Sequence, residues 1–242
     1  MEPSITQSLQ AVLWDLDGTI ADTTQLHFES WRDSLLKWGI DYSYDEFLAG
    51  FGRNSIELLR VMLADHRNQA QLNDTEFAAL IVEEAWRKEA LYREMLLDSE
   101  LPMLPGVEDW LNEFKARGIR QVISSSGPMA NTASVMVKLG IADYFLALMT
   151  GATLPHGKPH PMLFLHSARA VGCTPANALV IGDTLHDIEG ARRGGMVSIA
   201  VGDLAHSNQL ATALTHTQGP ACIEVRGMPQ LTWAEIERAF QP

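Results

Sequence analysis

The chain has 242 residues, of which 46% are hydrophobic and 20% are charged. This composition suits a packed domain of ordinary size with a smaller companion, and it argues against a disordered protein. Acidic residues number 30 and basic residues 18, so the formal net charge is −12. Because a nucleic-acid partner requires a basic surface, we expect none, whereas a small phosphorylated metabolite needs only a local site.

Three further features of the sequence limit the cellular setting. Cys173 and Cys222 are too few for a disulfide framework or a cysteine-rich zinc site, and we expect two reduced thiols. The opening residues lack the basic segment and apolar stretch of a signal peptide. No apolar run reaches the roughly 20 residues that span a bilayer. We therefore expect a cytoplasmic protein with no membrane association.

The first predicted element is a strand over 9–14, a continuous apolar run that ends at Asp15. From about residue 22 to 98, apolar residues recur at helical spacing, which predicts several helices and no strand. Polar turns are predicted near 41–43 and 66–73. This helical stretch should form a separate cap, inserted after the first strand, over one end of the sheet.

After residue 105 the predicted elements alternate. Helices are predicted over 107–117, 128–139, 160–171, 186–193, 208–214 and 233–240. Strands are predicted over 120–124, 145–149, 178–181, 197–201 and 222–225. Alternation of this kind predicts an α/β fold with a parallel sheet and helices on both faces. We expect a catalytic core over 1–21 and 99–242 and a cap over 22–98.

Asp15 and Asp17 follow the first predicted strand directly. Side chains two residues apart on an extended chain point the same way, so the two carboxylates would share one small volume. Such a pair suits a nucleophile beside a general acid/base, and Gly18 permits a tight turn. Alternatively, the aspartates and the glycine only cap the strand-end turn.

Two later segments could hold an anion. Ser124-Ser125-Ser126-Gly127 precedes a predicted helix, where hydroxyl and backbone N–H groups can bind an oxyanion or the serines can simply cap the helix. Lys158, between Gly157 and Pro159, could hold a phosphoryl group or be a surface lysine.

Asp183 and Asp187 form the fourth segment. Asp183 follows a predicted strand, and Asp187 stands four residues later at the start of a helix. Carboxylates without nearby nitrogen or sulfur ligands favour a hard cation such as Mg²⁺. The alternative for Asp187 is a favourable charge at the N-terminus of the helix. Because ligands bind at the carboxyl ends of parallel strands, the four segments are expected to meet in one cleft.

In this order the segments resemble the haloacid dehalogenase superfamily over nearly the whole chain. Asp15-Leu16-Asp17-Gly18-Thr19 is similar to its first motif and Ser125 to its second. Lys158 is similar to the third, and Asp183 with Asp187 to the fourth. The resemblance implies a Rossmann-like, doubly wound parallel sheet as the core, with a small all-helical cap domain.

The resemblance also implies the chemistry. Asp15 would attack phosphorus and become an aspartyl phosphate, while Asp17 would protonate the leaving group and then activate water. Because true dehalogenases lack the second aspartate of the first motif, the presence of Asp17 favours phosphoryl transfer.

Ligand-binding roles follow from the same resemblance. Mg²⁺ would be bound by Asp15, the backbone carbonyl of Asp17, and Asp183, and Asp187 would support that site without binding the ion. The phosphoryl oxygens would be held by Lys158 and by Ser125 or its neighbour Ser126.

Within the superfamily, the chain is most similar to the β-phosphoglucomutase-like branch, through residues 22–28 with Trp31 and through Lys88 with Tyr92. We expect His27, Arg53 and Lys88 of the cap to contact substrate. The alternatives are a helix-face histidine and solvated charges.

Gly182-Asp183 stands where the mutases of that branch have Glu-Asp, and it is typical of the branch's phosphatases. We therefore expect a Mg²⁺-dependent phosphatase acting on a small phosphate monoester, a sugar phosphate or a phospho-organic acid. A phosphosugar mutase is the second hypothesis, and a non-catalytic binding protein on the same fold is the third. We expect a monomer, with a dimer as the alternative.

Overall fold

A computed structural model describes residues 8–50, 55–216 and 219–241. The chain forms two compact units. The first, called here the core unit, comprises Met1–Asp22 and Leu101–Pro242, and the second, the helical unit, comprises Thr23–Glu100. None of the helices in the described part of the chain combines the length and apolarity that a membrane crossing requires.

The core unit contains a six-stranded sheet in the order β3-β2-β1-β4-β5-β6, and every neighbouring pair is parallel. The strands are β1 (Ala11–Trp14), β2 (Arg120–Ser125), β3 (Ala147–Thr150), β4 (Ala178–Gly182), β5 (Val197–Val201) and β6 (Cys222–Val225). The α/β class and the parallel sheet expected from the sequence are confirmed.

β1 lies in the middle of the sheet, and its four apolar residues are fully buried. Such a strand is covered on both faces, which is why its sequence is a continuous apolar run rather than an alternating one. Trp14 is in register with Ile123 of β2 and Ile181 of β4. The residues that follow these three positions therefore emerge at one edge of the sheet.

Five helices of the core unit lie between successive strands in the sequence, and a sixth follows β6. They are α6 (Val107–Ala116), α7 (Met129–Leu139), α8 (Met162–Ala170), α9 (Leu185–Arg193), α10 (Asn208–His216) and α11 (Trp233–Ala239). Their bounds differ from the predicted ones by up to two residues. Side chains of α8 and α9 pack with β1, β2 and β4 in one buried cluster that includes Leu13, Val122, Phe164, Val180 and Ala191.

The helical unit contains α1 (Thr24–Leu36), α2 (Tyr44–Gly50), α3 (Ser55–Met62), α4 (Ala64–Gln69) and α5 (Asp74–Asp98). It has its own apolar core, which includes Trp31, Leu35, Phe47, Leu59 and Ile81. The predicted turn over 66–73 is partly wrong, because α4 occupies its first half. α4 buries none of its residues, so it has no apolar stripe that a sequence pattern could detect.

α5 is the longest described helix, with 25 residues. Asn73 and Glu76 form a capping box at its start, in which each side chain accepts a hydrogen bond from the other's backbone N–H. Its buried stripe contains apolar residues at helical spacing, but also three charged ones, Glu84, Lys88 and Glu89. Charged side chains are rarely buried unless they are paired, so these three mark polar interactions inside the unit.

Candidate active site

The site is centred on Asp15, the first residue after β1. Its backbone N–H donates to the carbonyl of Ile181, which ties the end of β1 to β4. Its carboxylate Oδ1 lies 2.6 Å from Nζ of Lys158, and the Lys158 side chain is only 5% exposed. A nucleophile candidate and a phosphate-holding candidate, which are 143 residues apart in sequence, are therefore in direct contact.

Asp187 shares the same ammonium group, since its Oδ1 lies 2.7 Å from Lys158 Nζ. Its Oδ2 accepts hydrogen bonds from the backbone N–H and the hydroxyl of Thr184, which caps α9. Asp187 therefore takes part in both the helix cap and the carboxylate group, while its role in supporting a metal site stays a prediction. It stabilises the N-terminus of a helix and it places a carboxylate in the cluster.

Asp183 follows β4 and faces the first loop. Thr19 Oγ1 donates a 3.1 Å hydrogen bond to Asp183 Oδ1. Gly18 has a φ of 85°, and a Cβ at that position would lie 2.2 Å from Asp183 Oδ2. Only glycine fits both the left-handed backbone and this close approach. Gly18 therefore brings the first loop against the Asp183 carboxylate.

Gly182 serves a similar purpose for Asp187. A Cβ at position 182 would lie 2.5 Å from Cβ and Cγ of Asp187. A larger residue there, such as the glutamate expected for a mutase, would require the Asp187 side chain to move away. Gly182 therefore permits the contact between Asp187 and Lys158.

The crowding of carboxylates changes their proton affinities. Burial, together with the neighbouring carboxylates, raises the pKa of Asp15 well above its ordinary value, although Lys158 opposes the shift. Burial and the Asp187 charge raise the pKa of Asp183 to about 7. Burial alone would lower the pKa of Lys158, but Asp15 and Asp187 outweigh it and raise that pKa. The cluster holds more negative charge than one ammonium group can balance.

These residues fit a divalent cation. Asp15, Asp183 and Asp187 each offer a carboxylate oxygen, and the three oxygens lie within 4.8 Å of one another. An all-oxygen set is the donor type that Mg²⁺ prefers, and a cation would also lower the raised pKa values described above. The carbonyl of Asp17, assigned to the metal by resemblance, stays a prediction.

Asp17 and Ser125 lie around the turn at Gly127. A Cβ on Gly127 would lie 3.4 Å from Ser125 Oγ and 3.9 Å from Asp17 Oδ2. The Ser125 hydroxyl is fully buried and accepts a 3.0 Å hydrogen bond from the Gly127 N–H. A hydroxyl that accepts one bond still has its own proton to donate, as a phosphate-binding serine must.

The three consecutive serines have different environments. Ser124 is buried and donates to Ser167 Oγ at 2.8 Å, so its hydroxyl serves the contact between β2 and α8. Ser125 is the last residue of β2, and Ser126 is exposed beyond it. Among them, Ser125 best combines a fixed hydroxyl with proximity to Asp17.

Three residues of the helical unit were predicted to contact substrate, and the structure describes two of them. Lys88 Nζ lies 3.2 Å from Nδ1 of His27, so these two predicted residues are neighbours within the unit. Arg53 lies outside the described residues. The substrate-binding roles of all three stay predictions.

Two residues of the core-unit site were missed as functional candidates. Thr19 was recognised only as part of the first motif, although it orients Asp183. Thr150 at the end of β3 donates to the carbonyl of Gly127 and accepts from the N–H of Ala152. It thereby fixes the turn beside Ser125. The position of Thr150 after a predicted strand was the signal, but a threonine at a strand end is common.

Comparisons with known proteins agree with this geometry. Residues 9–195 match the family of haloacid dehalogenase-like hydrolases. The chain is 30% identical to the fructose-1-phosphate phosphatase YqaB of Escherichia coli over 193 residues, which are 78% of this chain and 95% of that protein. It is also 30% identical to a phosphoglycolate phosphatase of Nitrosococcus oceani over 192 residues, which are 76% and 79% of the two chains.

A solved structure gives the same result for the fold. The β-phosphoglucomutase of Clostridium difficile is similar with a TM-score of 0.76 and 26% identity, over 96% of this chain and 97% of that one. The protein belongs to the haloacid dehalogenase-like hydrolases, and it is an enzyme of the kind that includes phosphatases and phosphomutases.

Proposed function

We propose that the protein is a Mg²⁺-dependent phosphatase that hydrolyses a small phosphate monoester, either a sugar phosphate or a phospho-organic acid. The observation that carries the proposal is the contact of Asp15 with Lys158 inside a buried group of carboxylates. This arrangement supplies a nucleophile, a phosphate-binding cation and a set of metal ligands at one edge of the sheet.

The first step transfers the phosphoryl group to the protein. A carboxylate oxygen of Asp15 attacks phosphorus, and the bond between phosphorus and the leaving oxygen breaks. Asp17 donates its proton to that oxygen, so the organic part leaves as an alcohol. The product on the protein is an aspartyl phosphate at Asp15.

The second step releases phosphate. Asp17, now a carboxylate, takes a proton from water, and the water oxygen attacks phosphorus. The bond from phosphorus to Asp15 breaks, which returns the Asp15 carboxylate and gives inorganic phosphate. The proton taken from water leaves Asp17 protonated, as it was before the first step.

Ser125 and Lys158 hold the phosphoryl oxygens during both steps, with Ser126 as the neighbouring candidate. The fixed hydroxyl of Ser125 donates one hydrogen bond. The ammonium of Lys158 supplies a compact positive charge, and its contacts with Asp15 and Asp187 keep it in place.

Asp15 and Asp183 would hold Mg²⁺ together with the carbonyl of Asp17. Asp187, whose carboxylate lies in the same group, would orient Lys158 and support the site. An ion held there would supply positive charge that offsets the carboxylates and polarises the phosphoryl oxygens.

The test is an assay of phosphate release from p-nitrophenyl phosphate and from a panel of sugar phosphates and phospho-organic acids. We expect release with Mg²⁺ and almost none in EDTA. Asp109→Asn, which changes an exposed acid on α6, is the control for Asp15→Asn. Failure to release phosphate from any ester in the presence of Mg²⁺ would contradict the proposal.

A phosphosugar mutase is the second candidate, favoured by the similarity to the β-phosphoglucomutase structure. It predicts conversion of β-glucose 1-phosphate to glucose 6-phosphate in the presence of a bisphosphate primer, with little net phosphate release. Gly182 favours the phosphatase, because a glutamate there would displace Asp187. The ratio of isomerised sugar to released phosphate separates the two activities.

A further inference from the structure

The end of β3 lies against the turn that follows β2. Thr150, the last residue of β3, is in register with Ser125, the last residue of β2, and it is 8% exposed. The N–H of Gly151 donates a 2.8 Å hydrogen bond to the carbonyl of Ser125, which extends the ladder between the two strands by one bond. This bond holds Ser125 through its backbone, but it leaves the direction of the Ser125 hydroxyl open.

The Thr150 side chain reaches beyond the ladder to the turn itself. Its hydroxyl donates its one proton to the carbonyl of Gly127 and accepts a 3.1 Å hydrogen bond from the N–H of Ala152. A hydroxyl whose proton is committed to a carbonyl is poorly suited to donate to a phosphoryl oxygen as well. Thr150 therefore acts on the turn and not on a ligand.

Gly127 connects Thr150 with the Ser125 hydroxyl. Its carbonyl accepts from Thr150, and its N–H donates to Ser125 Oγ at 3.0 Å. Because glycine has the greatest backbone freedom of any residue, a glycine in a turn keeps one conformation only where its surroundings fix it. The bond from Thr150 restricts rotation of Gly127 and thereby the direction of the N–H that meets Ser125.

The N–H of Gly127 in turn limits where the Ser125 proton can point. A hydroxyl oxygen that accepts on one side donates its proton in another direction. A fixed Gly127 N–H therefore gives the Ser125 hydroxyl a preferred orientation before any ligand arrives. Preorganisation of this kind lowers the entropic cost of binding.

We propose that Thr150 is a positioning residue for phosphate binding, which acts through Gly127 to aim the Ser125 hydroxyl at a phosphoryl oxygen. The inference rests on the proposed function, in which Ser125 holds that oxygen. It adds to the site a residue of β3, which lies at the edge of the sheet in the described part of the chain.

Binding of inorganic phosphate gives the first test, by isothermal titration calorimetry with Mg²⁺ present. Thr150→Val removes the hydroxyl and keeps nearly the same shape. The Kd for phosphate should rise by about tenfold, the order of effect expected for one lost hydrogen bond. Thr150→Ser keeps the hydroxyl and should bind within about twofold of the wild-type value. An unchanged Kd in Thr150→Val would overturn the proposal.

Ser167→Ala is the matched control, because it removes another buried hydroxyl from the core unit. The Ser167 hydroxyl also donates to a carbonyl, that of Leu163, and accepts a second hydrogen bond, from Ser124. It serves the contact between α8 and β2 and not the turn at Gly127. Ser167→Ala should therefore lower the free energy of unfolding and leave the Kd for phosphate unchanged. A rise in Kd equal to that of Thr150→Val would show that loss of any buried hydroxyl weakens binding, against the proposal.

Ser125→Ala distinguishes positioning from a general loosening of the site. In this background Thr150→Val should change the Kd by less than about twofold, because the hydroxyl that Thr150 positions is gone and the two effects should not add. Equal fold-changes with and without the Ser125 hydroxyl would mean that Thr150 acts independently of it, which contradicts the proposal.

Thr150→Ala protects the test against misfolding of the valine variant. Its smaller side chain leaves room for water to hydrogen-bond the freed carbonyl of Gly127, and the same rise in Kd is expected. Loss of the fold in both variants, seen by circular dichroism, would show that the hydroxyl serves structure alone.

Hydrolysis of p-nitrophenyl phosphate separates failure of this inference from failure of the proposed function. If the wild-type protein hydrolyses the ester and Thr150→Val still binds phosphate as tightly, the positioning role is wrong and the phosphatase proposal stands. If the wild-type protein neither binds phosphate nor releases it from any ester, the proposed function itself fails.

Discussion

The two buried charge clusters, one in each unit, differ in how their charges are balanced. In the core unit, Asp15 and Asp187 share the single ammonium of Lys158, and Asp183 lies beside them. In the helical unit, Lys88 and Glu89 form a pair of one cation and one anion. Among the described residues, the first cluster has an excess of negative charge, whereas the second pairs one cation with one anion.

This difference separates two uses of buried charge. Burial, together with an excess of carboxylates, raises the pKa values of Asp15 and Asp183 and creates a demand for a cation. An ion pair of one cation and one anion makes no such demand. The predictions below test whether the first cluster is reactive and dependent on metal, and whether charges in the helical unit are independent of metal.

The largest expected effect is on the rate. Asp17→Asn removes the proton donor for the leaving group and the base for water, so kcat should fall by about 10²–10⁴-fold. Steady-state kinetics with a sugar phosphate measure it, and Asp109→Asn is the control. A smaller loss with p-nitrophenyl phosphate is expected, because its leaving group needs less protonation. Equal kcat for wild type and Asp17→Asn with the sugar phosphate would exclude this role.

The next effect tests the shared ammonium. Lys158→Met leaves the buried carboxylates of Asp15 and Asp187 without their common cation, so the free energy of unfolding in EDTA should fall by about 3 kcal/mol. Mg²⁺ should restore part of this loss, because it supplies positive charge to the same carboxylates. Urea denaturation measures both values, with the exposed Lys138→Met as control. No change in EDTA would show that the ion pairs contribute nothing to stability.

Glu84, a buried acid of the helical unit, is expected to be insensitive to metal, in contrast to the carboxylates around Lys158. Burial on its own raises the pKa of Glu84, but bonds and charges from Lys37, Trp38 and Arg87 outweigh it and lower that pKa below 4.5. At pH 7, Glu84→Gln should cost about 2 kcal/mol of unfolding free energy. The cost should be equal in EDTA and in Mg²⁺, since this acid lies outside the metal cluster.

The same variant has an expected pH dependence. A carboxyl group whose pKa is lower in the folded protein stabilises fully above its unfolded value and loses that contribution as the pH falls through the folded value. The difference between wild type and Glu84→Gln should therefore be constant near neutrality and shrink below about pH 4.5. Urea denaturation at roughly one-unit pH steps between pH 3 and pH 7 measures this difference in unfolding free energy. Glu83→Gln is the exposed control. A difference that grows on acidification would mean the pKa is raised instead.

The smallest effect concerns the support of Asp187. Thr184→Ala removes the hydroxyl that caps α9 and donates to Asp187 Oδ2, at a cost of about 1 kcal/mol in stability. Thr184→Ser keeps the hydroxyl and should restore stability. If serine fails to rescue the alanine variant, packing of the threonine methyl group explains the loss better than the cap.

The sequence allowed the sheet to be predicted because its inner strands, such as β1 and β4, are buried on both faces and their sequences are short apolar runs. Motif order identified Asp15, Lys158 and Asp183 as candidates at the same edge of that sheet. The short helix α4 was missed because it buries nothing. The pairing of Lys88 with Glu89 was missed because adjacent opposite charges on a helix usually face solvent, and only the packing of α1, α3 and α5 buries them.

The account depends most on Asp15 as the nucleophile. Wild-type enzyme quenched in acid during turnover of a sugar phosphate, digested and mapped by mass spectrometry, tests this role directly. We predict a phosphoryl group on the peptide that contains Asp15, and neither that adduct nor phosphate release in Asp15→Asn. Phosphate release by Asp15→Asn at the wild-type rate would contradict the account.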